Sequence, residues 1–212
     1  MHFQIDRKLA IMFVCFTVLT IATLFVRNAI AGNTIHNSLL WNLFLGFVPL
    51  LIAVAIVFFH SKLNNFWLFV AGGIWLLFYP NSPYIISDFI HVRSDQPDVA
   101  VYDALIIFLF AMLSFYYGLY SMKMAWVLLV KRFSRKVANG LIIFCLIMAS
   151  LGLYLGRVIR LNSWDLFTKP LTIFKEIWAS LFPIAEHWQA YAMIFLFLMA
   201  QSMVLLATKN FE

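Results

Sequence analysis

Long apolar runs separated by short polar stretches set the pattern of this chain. A membrane-crossing helix needs about 20 mostly apolar residues. Six runs approach that length, at about 9–27, 39–59, 63–79, 102–123, 137–156 and 188–207. Their spacing is even and no internal repeat is visible. The pattern therefore predicts one integral membrane domain over residues 1–212, an all-α polytopic transmembrane bundle of six helices. A polar loop from Asn28 to Asn37 follows the first run, Pro49 should kink the second, and His60 to Asn65 join the second tightly to the third. The first run, Leu9 to Val26, follows Arg7 and Lys8, and Ala29-Ile30-Ala31 mimics a cleavage site. It is longer than the roughly 7–15 apolar residues of a secretory signal, and Arg27-Asn28 intervene, so it reads as a retained helix.

The third run is the unusual one. From Phe66 to Tyr79 it covers only about 21 Å at 1.5 Å per residue, against a hydrocarbon core of about 30 Å. Pro80 and Pro83 then each remove a backbone donor and push the preceding residue toward extended geometry. Lipid supplies no water to the freed groups, so such a break survives only where protein or a wet cavity covers it. The third helix is thus expected to be broken at Pro80–Pro83, below the membrane surface, as the floor of a polar site. Asn81 can serve the freed backbone groups with both donors and acceptors, and Gly72-Gly73 should admit a close neighbouring helix. Farther on, Leu171, Phe174, Trp178 and Leu181 fall on one face between Pro170 and Pro183. That stretch predicts a short amphipathic interfacial helix before the last span.

Composition sharpens the class. The chain is 64% hydrophobic and 11% charged, with a mean hydropathy of +0.93, where a soluble domain carries about 25% charged residues. The net charge of +6 sits in short loops, so it speaks to topology, and nothing resembles a nucleic-acid module. With the N-terminus in the cytoplasm, the inner face holds Arg7, Lys8, Lys62, Lys131, Arg132, Arg135, Lys136 and Lys209. The outer face holds Arg27, Arg93, Arg157, Arg160, Lys169 and Lys175. The dense cluster at 131–136 decides for both termini inside. Cys15 and Cys145 lie within apolar runs as small buried residues, without a disulfide framework. No G-x-S-x-G, H-E-x-x-H or Walker stretch is present, and no cofactor is implied.

An even number of spans separates the connector after the third run from that after the fifth, so both open on one side of the membrane. Asn81, Tyr84, Asp88, His91 and Asp103 thereby share a face with Arg157, Arg160, Asn162 and Asp165. Arg157 and Arg160 suit an anionic ligand, as guanidinium groups match carboxylate and phosphate geometry. They equally suit snorkelling anchors at a helix end. Asp88, His91 and Asp103 are the candidate acids and bases if the protein is an enzyme. Asp103 also reads as a helix N-terminal acid or an arginine's partner. Asp88-x-x-His91 offers two metal ligands, too few to propose a metal. Tyr84, Tyr102 and Trp164 suit an interfacial aromatic belt, and Asn81 and Ser82 suit caps of broken helix ends. Unpaired charge beside lipid is costly, so Asp88 or Asp103 is expected within ion-pair reach of Arg157 or Arg160.

The stretch Phe78-Tyr79-Pro80-Asn81-Ser82-Pro83-Tyr84-Ile85-Ile86-Ser87-Asp88-Phe89-Ile90-His91 resembles a family motif when taken with Tyr102-Asp103, Tyr154-Leu155-Gly156-Arg157 and Arg160-Leu161-Asn162-Ser163-Trp164-Asp165. The family is the bacterial multi-pass membrane proteins called domain of unknown function 1361. The resemblance covers nearly the whole chain and implies an integral protein of the bacterial plasma membrane with no established activity. Its members typically show Pro-Asn-Ala-Pro-Tyr at the break, so Ser82 departs at a small position. The residues themselves, beside that resemblance, carry the expectation of a polar pocket facing outward that binds an anionic or hydroxyl-rich ligand, a lipid head group or envelope precursor. Its partners are then membrane lipid, that anionic envelope ligand and a membrane-protein partner. The alternatives are a small transporter or transporter subunit, and a structural or assembly partner. A transporter needs a polar path to the other side, and Lys123 is the one charged residue within the helices able to line it.

Overall fold

The computed structural model describes residues 7–92, 97–162, 165–183 and 186–209. Among these every regular element is helical. In order they are α1 (Arg7–Ala31), α2 (Ser38–Phe59), α3 (Asn65–Phe78), the single turn α4 (Asn81–Tyr84) and a 3₁₀ segment (Ile85–His91). Then come α5 (Pro97–Arg132), α6 (Arg135–Tyr154) with a π turn (Leu155–Ile159), α7 (Asp165–Thr168), α8 (Pro170–Leu181) and α9 (Trp188–Lys209). Four helices are long and apolar enough to cross a membrane: Arg7–Ala31, Ser38–Phe59, Val99–Arg132 and Arg135–Ile159. The chain is accordingly an all-helical membrane protein. The third expected span falls short for the reason its length suggested, since α3 has 14 residues and reaches only about 21 Å. In α9 the side chains beyond Met203 lie outside the described ones.

Local chemistry sets several boundaries. Gly32, at φ 64°, stops α1 in the left-handed conformation that glycine adopts without strain. Asn64 caps α3 by accepting from the Trp67 N–H at 3.0 Å, and Ser134 caps α6 by accepting from Val137 N–H at 3.3 Å. Pro170 opens α8, whose Leu171, Phe174 and Trp178 are exposed while Ile173 is buried, as its amphipathic pattern predicts.

The bundle is built around α5, which packs on α1, α2, α4, the 3₁₀ segment and α6. Its Ile106, Ile107, Phe110, Met122 and Met124 are fully enclosed. Helices in lipid gain little from hydrophobicity alone, so polar pairs help fix them. Trp75 Nε1 donates to Ser121 Oγ at 3.2 Å between α3 and α5. Trp126 Nε1 donates to Asn139 Oδ1 at 2.9 Å between α5 and α6. Gln201 Nε2 donates to Ser150 Oγ at 3.0 Å between α9 and α6. Outward faces carry Val14, Phe44, Phe58 and Ile143, apolar and exposed as lipid-facing surface requires.

Candidate functional site

The Pro80–Pro83 stretch is a redirected helix, where extended residues were expected before each proline. Tyr79 keeps right-handed helical angles (φ −55°, ψ −38°) and so does Pro80 (φ −57°, ψ −22°). Pro83 has no N–H for the Tyr79 carbonyl, which instead accepts from Ser82 N–H at 3.0 Å. That shift releases the Phe78 carbonyl, and Asn81 Nδ2 donates to it at 2.9 Å. One side chain thus repairs the ladder at the cost of a change in direction.

Three neighbouring helices close on this turn through glycine. Ser82 is fully buried, and its Oγ donates to the Gly46 carbonyl of α2 at 2.7 Å. Ser114 Oγ of α5 donates in turn to the Ser82 carbonyl at 2.8 Å. A Cβ on Gly118 would stand 2.6 Å from Ser82 Cβ, and one on Gly152 would stand 2.7 Å from the Pro80 ring. Gly72 and Gly73, which the sequence offered as the close-approach pair, have nothing within 4 Å of where a Cβ would lie. Isolated glycines in three other apolar runs were the better signal, because a tight crossing needs one missing side chain at the contact point.

The turn sets Asp88 facing Arg157. Arg157 Nη1 donates to Asp88 Oδ1 at 3.0 Å and to Tyr84 Oη at 3.3 Å, and Nη2 donates to the Ser87 carbonyl. The guanidinium also lies over the Tyr84 ring, 5.4 Å from its centre. Asp88 is buried, and its other oxygen accepts from Asn42 Nδ2 at 2.8 Å. The carboxylate is therefore spent on protein donors and holds Arg157 in place. The expected pairing across the two connectors occurs here.

Arg157 sits in the π turn, and Arg160 ends it in the left-handed region at φ 63°, ψ 35°. A continued helix would set Arg157 and Arg160, i and i+3, on one face, but this wider turn replaces it, and the left-handed conformation of Arg160 is uncommon for a residue with a Cβ. Both nevertheless line one cavity of about 950 Å³, at the upper end of ordinary ligand pockets. Asn42, Asn81, Tyr84 and Asn162 add to its polar lining. Val70, Ile74 and Leu77 of α3, Met148 of α6, and Ile173 and Ile177 of α8 give it an apolar wall. Arg160 is exposed there and has no ion-pair partner among the described residues.

The remaining candidates lie elsewhere. Asp103 does not reach either of these arginines. It is held by Arg27, whose Nε and Nη2 donate to its two oxygens at 2.7 and 3.1 Å. His36 Nε2 stands 2.9 Å from Asp103 Oδ2, and Arg27 Nη1 donates to the side chain and carbonyl of Asn33. All three charged or titratable members are buried, away from the cavity lining. Asp165 shapes its own loop, accepting from Asn162 N–H at 2.7 Å, and it is absent from the cavity wall. The His91 side chain, Arg93, Asp95 and Trp164 lie outside the described residues. Among the described residues no three His, Cys, Asp or Glu side chains gather as a metal site would require.

Comparison with known proteins adds the family. Neither the curated proteins nor the solved structures yield a match. A family profile described as "Protein of unknown function (DUF1361)" matches residues 41–204, which takes in the break, Asp88, both cavity arginines and all of their partners. On that match over most of its length, the chain belongs to the DUF1361 family.

Proposed function

We propose that this chain is a six-span protein of the bacterial plasma membrane, with both termini cytoplasmic. Its cavity opens outward and binds an anionic or hydroxyl-rich ligand of the envelope or lipid phase. One observation carries the reading: Arg157 is tied down by Asp88 and Tyr84, while Arg160 faces the same cavity with no ion-pair partner among the described residues. A cation kept beside lipid without a carboxylate favours an anion from outside the chain. Asp88 serves as a positioning residue in this reading, since both of its oxygens already accept hydrogen bonds. Binding without transport is the better fit, because the bundle centre at Phe110, Met122 and Met124 is filled with enclosed apolar side chains.

Protein purified in native lipid, examined by native mass spectrometry, should carry an anion that Arg160→Gln loses. A bound population unchanged by that substitution sinks the reading. Orientation is tested in a Cys15→Ser, Cys145→Ser background. Asn162→Cys should react with an impermeant thiol reagent added outside intact cells, and Ser134→Cys should not. The reverse pattern overturns the outward opening.

A further inference from the structure

The cavity has two kinds of lining, and they want different things. Arg157, Arg160, Asn81 and Asn162 are polar lining, while α3 and α8 contribute the apolar Val70, Ile74, Leu77, Ile173 and Ile177. A small anion at the arginines would occupy a minor part of about 950 Å³ and leave water against the apolar wall, which is unfavourable. The apolar face of helix α8 is wide: Ile173 and Ile177 line the cavity, while Phe174 and Trp178, farther round the same face, are exposed. One apolar face thus runs from the cavity onto the exposed surface of the protein. On α3, Gly73 lines the cavity with nothing within 4 Å of its Cβ position, so the α3 backbone itself is open to contact.

We infer that the ligand is a membrane-resident amphiphile, a phosphate-type anion carried on a hydrocarbon chain. The anion rests on Arg160, and the chain lies along α3 past Gly73 and against Ile177 of α8. Arg157 acts as a positioning residue, since both of its Nη nitrogens are already engaged by Asp88, Tyr84 and Ser87, which leaves it only the buried Nε. This rests on the reading of the cavity as an anion site and adds the chain, its track and its entry from the lipid. The chain gains little energy by leaving lipid for an apolar wall. Its contribution is to concentrate the anion in the membrane plane and to make binding depend on the shape of the α3–α8 track.

The test uses the full chain in detergent, with native mass spectrometry and melting temperature read together. The probes are phosphatidylglycerol, phosphatidylcholine and, as the head group without a chain, glycerol phosphate. Phosphatidylglycerol should be retained over phosphatidylcholine by about tenfold or more, and Arg160→Gln should erase that preference. Gly73→Leu, placed where the structure has room, should cut phosphatidylglycerol retention by about tenfold while the melting temperature holds. Ile177→Trp obstructs the same track from the other wall and should do likewise, so a folding failure of either variant leaves the second informative. Glycerol phosphate binding as well as the phospholipid, with the same dependence on Arg160, removes the chain and leaves the anion site standing. Phospholipid binding indifferent to both track variants also overturns the inference. No Arg160-dependent binding of any probe defeats both readings.

Discussion

At one end of the bundle two arginines meet two aspartates, Arg27 with Asp103 and Arg157 with Asp88. The first pair is a two-pronged fork at 2.7 and 3.1 Å, with His36 and Asn33 closing the remaining sides. Its side chains are 1% and 3% exposed. The second is a single contact at 3.0 Å, with side chains 13% and 6% exposed. Arg157 lies against a cavity, and its buried Nε has no hydrogen-bond partner among the described residues. The same two residue types thus make a closed lock between α1 and α5 and an open support beside a pocket. Charge alone does not distinguish them. What does is whether each guanidinium nitrogen finds an acceptor, as in Arg27, or one is left without, as Nε is in Arg157.

The largest effect should come from breaking the lock. Asp103→Asn or Arg27→Gln leaves a buried charge without its partner, which costs about 3–5 kcal/mol. Unfolding of the purified protein in detergent should show that loss for each variant. The double variant Arg27→Met/Asp103→Leu should lose clearly less than the two single losses combined, because neither charge is stranded. Additive losses would mean that the fork is not energetically coupled, and the contrast with Arg157 would lose its basis.

A smaller loss is expected at the support. Asp88→Asn keeps a polar group for Asn42 and leaves Arg157 next to a cavity that admits water, so about 1–3 kcal/mol is expected. A loss as large as that of Asp103→Asn would show that the second pair is as closed as the first. The turn beneath it offers an independent check of similar size. Gly118→Ala sets a methyl 2.6 Å from Ser82 Cβ, and such overpacking typically costs about 1–3 kcal/mol. Gly72→Ala, with open space around it, should be neutral or slightly stabilising by the same unfolding measurement.

These features differ in how far the sequence exposed them. Pro80, Asn81 and Pro83 announce a break in the helix because proline chemistry is local, but not that the backbone through it stays helical. The meeting of Asp88 and Arg157 is foreseeable because counting spans fixes which helix ends share a face. Arg27 was readable only as one more outer loop charge, since nothing in its neighbourhood says that α1 delivers it to α5. Its signal was weak but physical: a lone arginine in a run of apolar residues, near His36, at the end of the bundle where Asp103 begins its helix. The glycine contacts failed for a related reason. Apolar runs do not reveal which side of a helix meets a neighbour, so Gly72-Gly73 looked as suitable as Gly46, Gly118 and Gly152. Likewise the π turn at Leu155–Ile159 has no sequence mark, and it is what keeps Arg157 and Arg160 from the single face that a continued helix would give them.

The smallest predicted effect is the one that separates the arginines most cleanly. Arg160 is exposed and takes part in no ion pair among the described residues, so the folded protein gains little from its charge. Arg160→Gln keeps a long polar side chain, and its stability should stay within about 0.5 kcal/mol of the parent. The left-handed backbone at φ 63° disfavours both residues alike, since each carries a Cβ, and so cancels between them. Arg160→Gly relieves that conformation and should stabilise by up to about 1–2 kcal/mol. Arg157→Gln, in contrast, strands Asp88 and removes the guanidinium from the Tyr84 ring, so it should lose on the order of 1–3 kcal/mol. Equal losses for Arg157→Gln and Arg160→Gln would place Arg160 in the framework of the fold. Its freedom to meet an anion in the cavity would then have to be given up.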